Sequence, residues 1–294
     1  MIGPAVETSE LTKRYGRVLA LDALTLRVER GEVFGFLGPN GAGKTTTIRL
    51  LLGLIAPSGG TARVLDSDVT QGAAWRRDVG HLPGDLALWP RLTGRQTLDT
   101  LAHITGKASV WRDELLDRLR FASADLDRRV RTYSDGMRQK LGIVQAMQCA
   151  PAVVLLDEPT KGLDPLIQIA FYELVGEAAR RGTTVFFSSH VLPEVERVCN
   201  RVAMLRGGRL MSVGDIADLR RVLPRRVTVT FRQPQPVVDF SEVGTVLAQS
   251  PVRVELLVQA DAVPALVQRL AAQPIADLLI ESQTLEDAFL ERYR

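Results

Sequence analysis

Short apolar runs alternate with segments of helical spacing along most of the first 214 residues. The strand-like runs lie at 5–11, 25–28, 32–37, 61–65, 152–156 and 183–188. Between the last two of these runs, residues 165–180 have apolar positions three and four apart, and residues 45–53 show the same spacing after the third run. Short apolar runs joined by helices are typical of strands buried on both faces of a parallel sheet. The pattern therefore predicts an α/β fold.

The middle of the chain, at about 92–146, has a different pattern. Three segments, 95–105, 111–119 and 136–146, each carry an apolar stripe at helical spacing and are separated by turn residues. Amphipathic spacing of this kind predicts helices that bury one face. We therefore expect a helical insert between the two halves of the α/β domain.

The pattern changes again beyond residue 214. A charged, arginine-rich segment with helical character at 215–226 leads into an alternating strand at 226–232. Further strands are predicted at 252–258 and 277–281, and helices at 262–272 and 285–293. We therefore divide the chain into residues 1–222, an α/β domain, and residues 223–294, a small α+β accessory domain, with the boundary at about Leu223.

Composition and charge exclude several classes of protein. The 294 residues are 46% hydrophobic and 24% charged, the balance of a folded globular chain. No apolar run approaches the roughly 18–20 residues of a membrane span, and acidic residues near the N-terminus favour a cytoplasmic location over export. Although the net charge is +3, arginine pairs lie beside acidic residues, so no nucleic-acid partner is expected. Cys149 and Cys199 have no nearby ligand at zinc-site spacing.

A phosphate-binding motif follows the strand at 32–37. The pattern G-x-x-x-x-G-K-[ST] is matched by Gly38, Pro39, Asn40, Gly41, Ala42, Gly43, Lys44 and Thr45, and Thr46 continues into the predicted helix. In this context glycines let backbone N–H groups surround a phosphate chain, the lysine reaches the β- and γ-phosphates, and the hydroxyl of Thr45 can ligate Mg²⁺. The alternative is a chance glycine-rich turn. The strand before it and the helix after it favour nucleotide binding, with ATP and Mg²⁺ as cofactors.

Two adjacent acids, Asp157 and Glu158, end the apolar strand at 152–156. A carboxylate at such a strand end can hold the magnesium shell, and a second can orient or deprotonate water. A solvated acid pair is the simpler interpretation of these two residues in isolation. Beside a phosphate loop, however, the pair favours hydrolysis of ATP, with Asp157 as the metal residue and Glu158 as the catalytic one.

Further segments make the chain resemble the ATP-binding-cassette (ABC) family over about residues 5–212. Residues 133–139 (YSDGMRQ) are similar to the family signature LSGGQ, residues 160–164 (TKGLD) to its D-loop, and residues 188–190 (SSH) to its switch-histidine segment. The resemblance implies a P-loop NTPase cassette with a helical subdomain that forms a head-to-tail homodimer. In it, Tyr15 would stack on adenine, and Ser134 and Gly136 would close over ATP bound to the partner. His190 would contact the γ-phosphate and act with the catalytic Glu158 and Lys44.

The chain departs from the family pattern in several places. Gly84, followed by Asp85, stands where the family usually has a glutamine that touches Mg²⁺, and Lys161 replaces a small D-loop residue. Met137 and Asp135 also differ from the signature. These substitutions, and residues 285–290 (LEDAFL), resemble the drug-exporter branch of the family, in which a cassette serves separate six-helix membrane subunits.

The resemblance implies an ATPase subunit of an exporter for a hydrophobic drug-like molecule, antibiotic or lipid. It would be peripheral on the inner face of the cell membrane and would contact a separate permease through residues 76–105. Leu88, Trp89 and Pro90 are candidates for an apolar docking patch or for ordinary core. Alternatives are a soluble ABC ATPase acting on nucleic acid or ribosomes, a non-catalytic regulatory module and an importer subunit. The absence of a long heptad pattern speaks against DNA repair, and Glu158 speaks against a non-catalytic module.

Overall fold

The computed structural model describes residues 3–218, 224–235 and 239–282. By their internal contacts they divide into two units, Met1–Gly214 and Asp215–Arg294. The boundary predicted at about Leu223, the helix predicted at 285–293 and the exporter-like segment 285–290 lie outside the described residues. The division at 222/223 therefore stays a prediction.

The α/β alternation predicted for the first unit is confirmed. Its strands are β1 (Val6–Tyr15), β2 (Val18–Val28), β3 (Val33–Leu37), β4 (Gly59–Val64), β5 (Ser67–Asp68), β6 (Val79–Leu82), β7 (Val153–Asp157), β8 (Thr184–Ser189), β9 (Arg201–Arg206) and β10 (Arg209–Asp215). Its helices are α1 (Lys44–Leu51), α2 (Gly94–Thr105), α3 (Arg112–Arg118), α4 (Ser123–Leu126), α5 (Asp135–Met147), α6 (Pro165–Arg180) and α7 (Leu192–Val198).

A six-stranded sheet in the order β10-β9-β3-β8-β7-β6 positions the phosphate loop and the acid pair. Strands β9, β3, β8, β7 and β6 run parallel to one another, and every residue of β3, β7 and β8 is buried. This burial explains why those strands read as continuous apolar runs. Since parallel strands end at the same edge, Leu37, Asp157 and Ser189 lie side by side there.

A second, antiparallel sheet in the order β2-β1-β4-β5 packs on α1 and the parallel sheet. Its alternating side chains, among them Val6, Leu24 and Val64, join Phe34, Phe36 and Phe186 in one core. The rings of Phe36 and Phe186 lie with centroids 4.9 Å apart. Alternating burial is the expected pattern for an antiparallel sheet with one solvated face.

The predicted helical insert consists of α2, α3, α4 and α5. Thr93 and Gln96 form a capping box at the start of α2, and Gly106 ends that helix at φ 68°. Ser134 caps α5 by accepting a hydrogen bond from the backbone N–H of Met137 (3.2 Å). The same Ser134 is the signature serine, so the start of α5 is set by local capping chemistry.

The second unit contains an antiparallel sheet in the order β12-β13-β11-β14, with helix α8 (Val263–Leu270). Its strands are β11 (Arg225–Phe231), β12 (Thr245–Ser250), β13 (Arg253–Val258) and β14 (Ile275–Ser282). Val227, Val229 and Leu256 form a core of their own with Leu266 and Leu270 of α8. The predicted small α+β fold of this region is therefore confirmed.

Candidate functional site

The phosphate loop runs from Gly38 to Lys44, between β3 and α1. Gly41 and Gly43 adopt φ values of 80° and 105°, which only glycine adopts without strain. At Gly38, a Cβ atom would lie 2.4 Å from the carbonyl oxygen of Leu205, so no side chain fits there. The glycines of the motif are therefore required by conformation and by close packing, and the loop leads directly into the N-terminus of α1, which favours anions.

Lys44 is 6% exposed and lies under this loop. Its Nζ donates hydrogen bonds to the carbonyl oxygens of Gly38 (2.7 Å) and Pro39 (3.3 Å), and lies 3.9 Å from Oε1 of Glu158. Burial lowers the pKa of Lys44, and the charges of Glu158 and Asp157 oppose that shift. The ammonium group is thus held by neutral carbonyls and one nearby carboxylate, an arrangement that leaves positive charge for a phosphate chain entering the loop.

Asp157, at the end of β7, is 2% exposed and accepts two hydroxyl hydrogen bonds. Thr45 Oγ1 donates to Oδ2 at 2.7 Å, and Ser188 Oγ donates to Oδ1 at 2.5 Å. Within the described residues no group of three histidine, cysteine or acidic side chains forms a metal cage. A divalent ion beside Asp157 and Thr45 would therefore take further oxygens from a nucleotide and water, as Mg²⁺ commonly does.

Glu158 and His190 meet at the edge of the same sheet. His190 Nδ1 lies 3.0 Å from Glu158 Oε1, and the backbone N–H of Glu158 donates to the carbonyl oxygen of Ser188 (3.1 Å). Glu158 has a φ of 49°, in the left-handed region that non-glycine residues rarely adopt. Such a conformation at a strand end directs the carboxylate toward Lys44 and His190 instead of along β7.

The signature segment and the D-loop contact each other in the same chain. A Cβ atom on Gly136 would lie 2.9 Å from the carbonyl oxygen of Gly162, so the two backbones approach closely. Gln139, 8% exposed on α5, donates to the carbonyl oxygen of Pro159 at 2.7 Å. The helix that begins at the signature is therefore tied to the residue that follows Glu158.

The remaining predicted nucleotide residues are at the surface. Tyr15 ends β1 with 45% of its surface exposed, and Lys13 Nζ lies 5.1 Å from the centroid of its ring. The structure thus brings Lys44, Thr45, Asp157, Glu158 and His190 together. In the part of the chain that the structure describes, no side-chain hydrogen bond or ion pair joins Tyr15, Ser134 or Gly136 to that group, and their roles stay predictions.

A cleft of about 280 Å³ opens beside Asp157 where Gly84 has no side chain. A Cβ atom at Gly84 would lie 3.3 Å from Asp157 Oδ2, and His81, Asp85 and Lys161 line the same cleft. Burial lowers the pKa of His81 to about 4, so its imidazole is neutral near pH 7. Asp85 and Lys161 also line an adjoining cleft, so the two residues border the same space within one chain.

An apolar groove of about 400 Å³ lies between the segment after β6 and helices α2 and α5. Leu86, Leu88, Trp89, Leu101 and Ile104 line it, and Trp89 and Ile104 are 44% and 67% exposed. Two of the three residues predicted as a docking patch or core, Leu88 and Trp89, therefore border a groove that is open to solvent. Pro90, the third, is exposed and is not among its lining residues.

Sequence reasoning missed three side chains around this site. Ser188 bonds Asp157, Gln139 bonds the carbonyl of Pro159, and Glu194 on α7 accepts hydrogen bonds from Thr160 and Ser189. Glu194 follows His190 by four residues, in a short helix that the hydrophobic pattern did not reveal. Proximity to the switch histidine was the available signal for it, whereas nothing in the local sequence of Gln139 indicates its partner.

Comparisons with known proteins agree with this geometry. A family model described as "ABC transporter" matches residues 21–161, and one described as "EvrA-like ABC transporter, C-terminal domain" matches residues 224–281. The Nod factor export ATP-binding protein I of Paraburkholderia xenovorans is 33% identical over 97% of this chain and 96% of its own length. The daunorubicin/doxorubicin resistance ATP-binding protein DrrA of Streptomyces peucetius is 38% identical over 76% of this chain and 69% of its own.

Among solved structures, an ATP-binding subunit of an ABC transporter superposes with a TM-score of 0.69. It is 32% identical and covers 74% of this chain and 92% of its own length. The superposition supports the predicted cassette fold, with parallel sheet and helical subdomain. In the described residues of the present chain, no helix is both long and apolar enough to span a bilayer.

Proposed function

The chain belongs to the ATP-binding proteins of ABC transporters, and we propose that it is the ATP-hydrolysing subunit of an exporter for a hydrophobic drug-like molecule, antibiotic or lipid. It is an ATPase of this family, as the fold and the family matches indicate. One observation carries the proposal at the level of chemistry. Lys44, Asp157, Glu158 and His190 converge at the end of the parallel sheet, next to a loop shaped for phosphates.

Nucleotide binding rests on the loop residues 38–46. Backbone N–H groups of the glycine-rich turn and of the first turn of α1 surround the phosphates, and the Lys44 ammonium contacts the β- and γ-phosphates. Tyr15, exposed at the end of β1, stacks on the adenine ring. Thr45 and Asp157 would hold Mg²⁺, which would neutralise charge on the phosphate oxygens. The hydroxyl of Ser188 bonds one oxygen of Asp157, and this leaves the other oxygen beside Thr45, to which it is also bonded.

Glu158 orients the attacking water and accepts its proton as the bond from water oxygen to the γ-phosphorus forms, while the bond from that phosphorus to the β–γ bridging oxygen breaks and ADP leaves. The carboxylate is 23% exposed, which leaves it open to water, and its left-handed backbone turns it toward the phosphate loop. His190, 48% exposed and 3.0 Å from Glu158, contacts the γ-phosphate. Because the imidazole and Lys44 both lie near Oε1 of Glu158, the three groups bracket the position where the phosphate would be attacked.

Completion of the site requires a second copy of the chain. Ser134 and Gly136 lie at the start of α5, against the D-loop of their own chain, and Asp135 is 88% exposed. In a head-to-tail homodimer they close over ATP that is bound to the phosphate loop of the partner. The exposed N-terminus of the 13-residue helix α5 then faces the phosphates, an arrangement favoured by the helix dipole.

Coupling to transport requires a separate permease. The groove lined by Leu88, Trp89 and Ile104 leaves large apolar side chains open to solvent, which is typical of a protein contact surface. It borders His81, which also lines the cleft beside Asp157, so a partner in the groove lies next to the nucleotide site. Docking there places the chain on the inner face of the cell membrane, as a peripheral subunit.

The transport role is supported over the alternatives by the relatives. Both named relatives are ATP-binding proteins, one of drug resistance and one of Nod factor export, and one of them matches the present chain over nearly all its length. None of these matches favours the alternative of an ATPase that acts on nucleic acid or ribosomes. The identity of the cargo would be set by contacts in the permease.

The direct test is the variant Glu158→Gln in the purified chain. We expect it to bind ATP with the affinity of the wild type, to release no phosphate, and to accumulate as an ATP-bound dimer in size-exclusion chromatography with Mg²⁺. Glu173→Gln is the matched control. Glu173 is a surface residue of α6 that accepts a hydrogen bond from Arg118 of α3, away from the site. A monomeric Glu158→Gln variant with normal turnover would refute both the catalytic role and the homodimer.

A further inference from the structure

Glu194 lies in the first turn of α7 and uses each of its carboxylate oxygens for a different segment. Oε1 accepts a hydrogen bond from Thr160 Oγ1 at 2.6 Å, and Oε2 accepts one from Ser189 Oγ at 2.7 Å. Thr160 and Ser189 are 6% and 1% exposed. Water has little access to these two hydroxyls, so each needs Glu194 or a nearby backbone carbonyl as its hydrogen-bond acceptor.

The two segments joined by Glu194 carry the groups proposed for hydrolysis. Thr160 follows Glu158 by two residues, and Ser189 directly precedes His190. The chain between Glu158 and His190 includes the whole of α6 and β8, so local sequence does not hold their side chains at 3.0 Å. Pairing of β7 with β8 and the bond from Ser188 to Asp157 join the two strands before these groups. Glu194 adds side-chain bonds to Thr160, after Glu158, and to Ser189, before His190.

The contact is well suited to fix an angle as well as a distance. A carboxylate is planar, so two hydroxyls bonded to its two oxygens define the relative placement of their backbones. Ser189 Oγ also accepts a hydrogen bond from the backbone N–H of Val191 at 2.9 Å, which ties the same hydroxyl to the residue after His190. Bonds to a charged acceptor are stronger than those between neutral groups, which favours one geometry of the His190 segment.

We infer that Glu194 is a positioning residue for ATP hydrolysis: through Thr160 and Ser189 it sets the placement of Glu158 relative to His190. This inference rests on the proposed function, because it assigns Glu194 a part in that same hydrolytic step. Glu194 touches neither nucleotide nor water in this role. Loss of its carboxylate should therefore reduce the rate of the chemical step and leave the affinity for ATP unchanged.

The first test measures Glu194→Ala and Glu194→Gln in the full chain. For Glu194→Ala we expect kcat for phosphate release to fall by about 10- to 100-fold, the loss typical of a misplaced catalytic group, with Kd for a fluorescent ATP analogue unchanged. Glu194→Gln keeps the shape and an acceptor oxygen, so we expect it to recover part of that loss. The matched controls are Glu196→Ala and Glu196→Gln, which make the same changes two residues further along α7.

A second test separates positioning from simple support of the fold. Thr160→Val and Ser189→Ala each remove one hydroxyl and keep Glu194. If the carboxylate acts through them, their effects on kcat and that of Glu194→Ala will be non-additive, and Glu194→Ala will cost little in the Thr160→Val/Ser189→Ala background. Thermal unfolding of each variant shows whether the chain is folded at the assay temperature.

The outcomes are distinct. Normal kcat in a folded Glu194→Ala variant would overturn the inference and leave the proposed function intact. Additive losses across the cycle, or a loss confined to ATP affinity, would also overturn it. Absence of turnover in the wild-type chain with ATP and Mg²⁺ would instead refute the proposed function, and the positioning role with it.

Discussion

Removal of the Ser188 hydroxyl tests the arrangement around Asp157. Asp157 is 2% exposed, and its Oδ1 accepts the hydrogen bond from Ser188 Oγ at 2.5 Å, inside the parallel sheet where Ser188 is itself fully buried. A hydrogen bond to a charged group is worth about 1.5–3 kcal/mol, and the acceptor left behind by Ser188→Ala would have no water to replace it. We therefore expect the free energy of unfolding of Ser188→Ala to fall by about 1.5–3 kcal/mol.

The other bond to Asp157 provides an internal comparison. Thr45 donates to Oδ2 at 2.7 Å, but Thr45 is exposed, so water can take the place of its hydroxyl. Thr45→Val should consequently cost less stability than Ser188→Ala. Ser9→Ala, at an exposed position of β1, controls for the serine-to-alanine change itself and should leave stability unchanged.

Thermal unfolding without nucleotide or Mg²⁺ is the assay. For a domain of this size, 1 kcal/mol corresponds to about 2–4 °C in Tm, so Ser188→Ala should unfold about 3–12 °C below the wild type. Urea unfolding at 25 °C would give the free energy directly. A Tm equal to that of the wild type, or a larger loss for Thr45→Val than for Ser188→Ala, would refute the reasoning that the buried bond holds Asp157.

Three further predictions concern the same region. Lys44→Ala should abolish ATP binding or hydrolysis, because it removes the ammonium held at the loop, and unchanged phosphate release would contradict the site. If Asp85 replaces the metal ligand missing at Gly84, Asp85→Ala should raise the Mg²⁺ concentration that gives half-maximal ATPase activity, and Lys161→Ser should change the size of that increase. Identical Mg²⁺ titrations of the wild type and Asp85→Ala would mean that Asp85 is only a turn residue. Burial lowers the pKa of His81 from about 6.5 in the unfolded chain to about 4 in the folded one, so between these pH values the unfolded state binds one more proton. Acidification from pH 7 to 4 should therefore cost about 3 kcal/mol of stability through His81. The variant His81→Phe should not lose this amount, and urea unfolding at both pH values measures the difference.

Local sequence determined the elements with continuous patterns and the chemistry at their ends. The helix predicted at 165–180 spans Pro165–Arg180, because Asp164 caps it and Pro165 favours its first turn. The strands β3, β7 and β8 were predicted from their apolar runs, and their ends carry the phosphate loop, the acid pair and the switch segment. These features depend on residues that are neighbours in the chain, which is why a motif reveals them.

Other elements escaped the sequence pattern. Strands β9 and β10 and helix α7 were not predicted: β10 alternates at an edge of the sheet, and α7 has seven residues. Short elements gain most of their stability from tertiary packing, so their own sequence predicts them only weakly. Here the side chains of Val195, on α7, and Val202, on β9, are buried close to Gly35 of β3.

Only the tertiary structure decided how the catalytic candidates are held. The bond from Gln139 to Pro159 crosses 20 residues and that from Thr160 to Glu194 crosses 34, and neither segment carries a pattern that names its partner. The left-handed conformation of Glu158 and the cleft beside Gly84 likewise depend on the packing of separate strands and loops. The sequence determined which reactive groups are present, since their chemistry is local. Their distances and angles were decided by folding, since hydrogen bonds and close packing between distant segments set them.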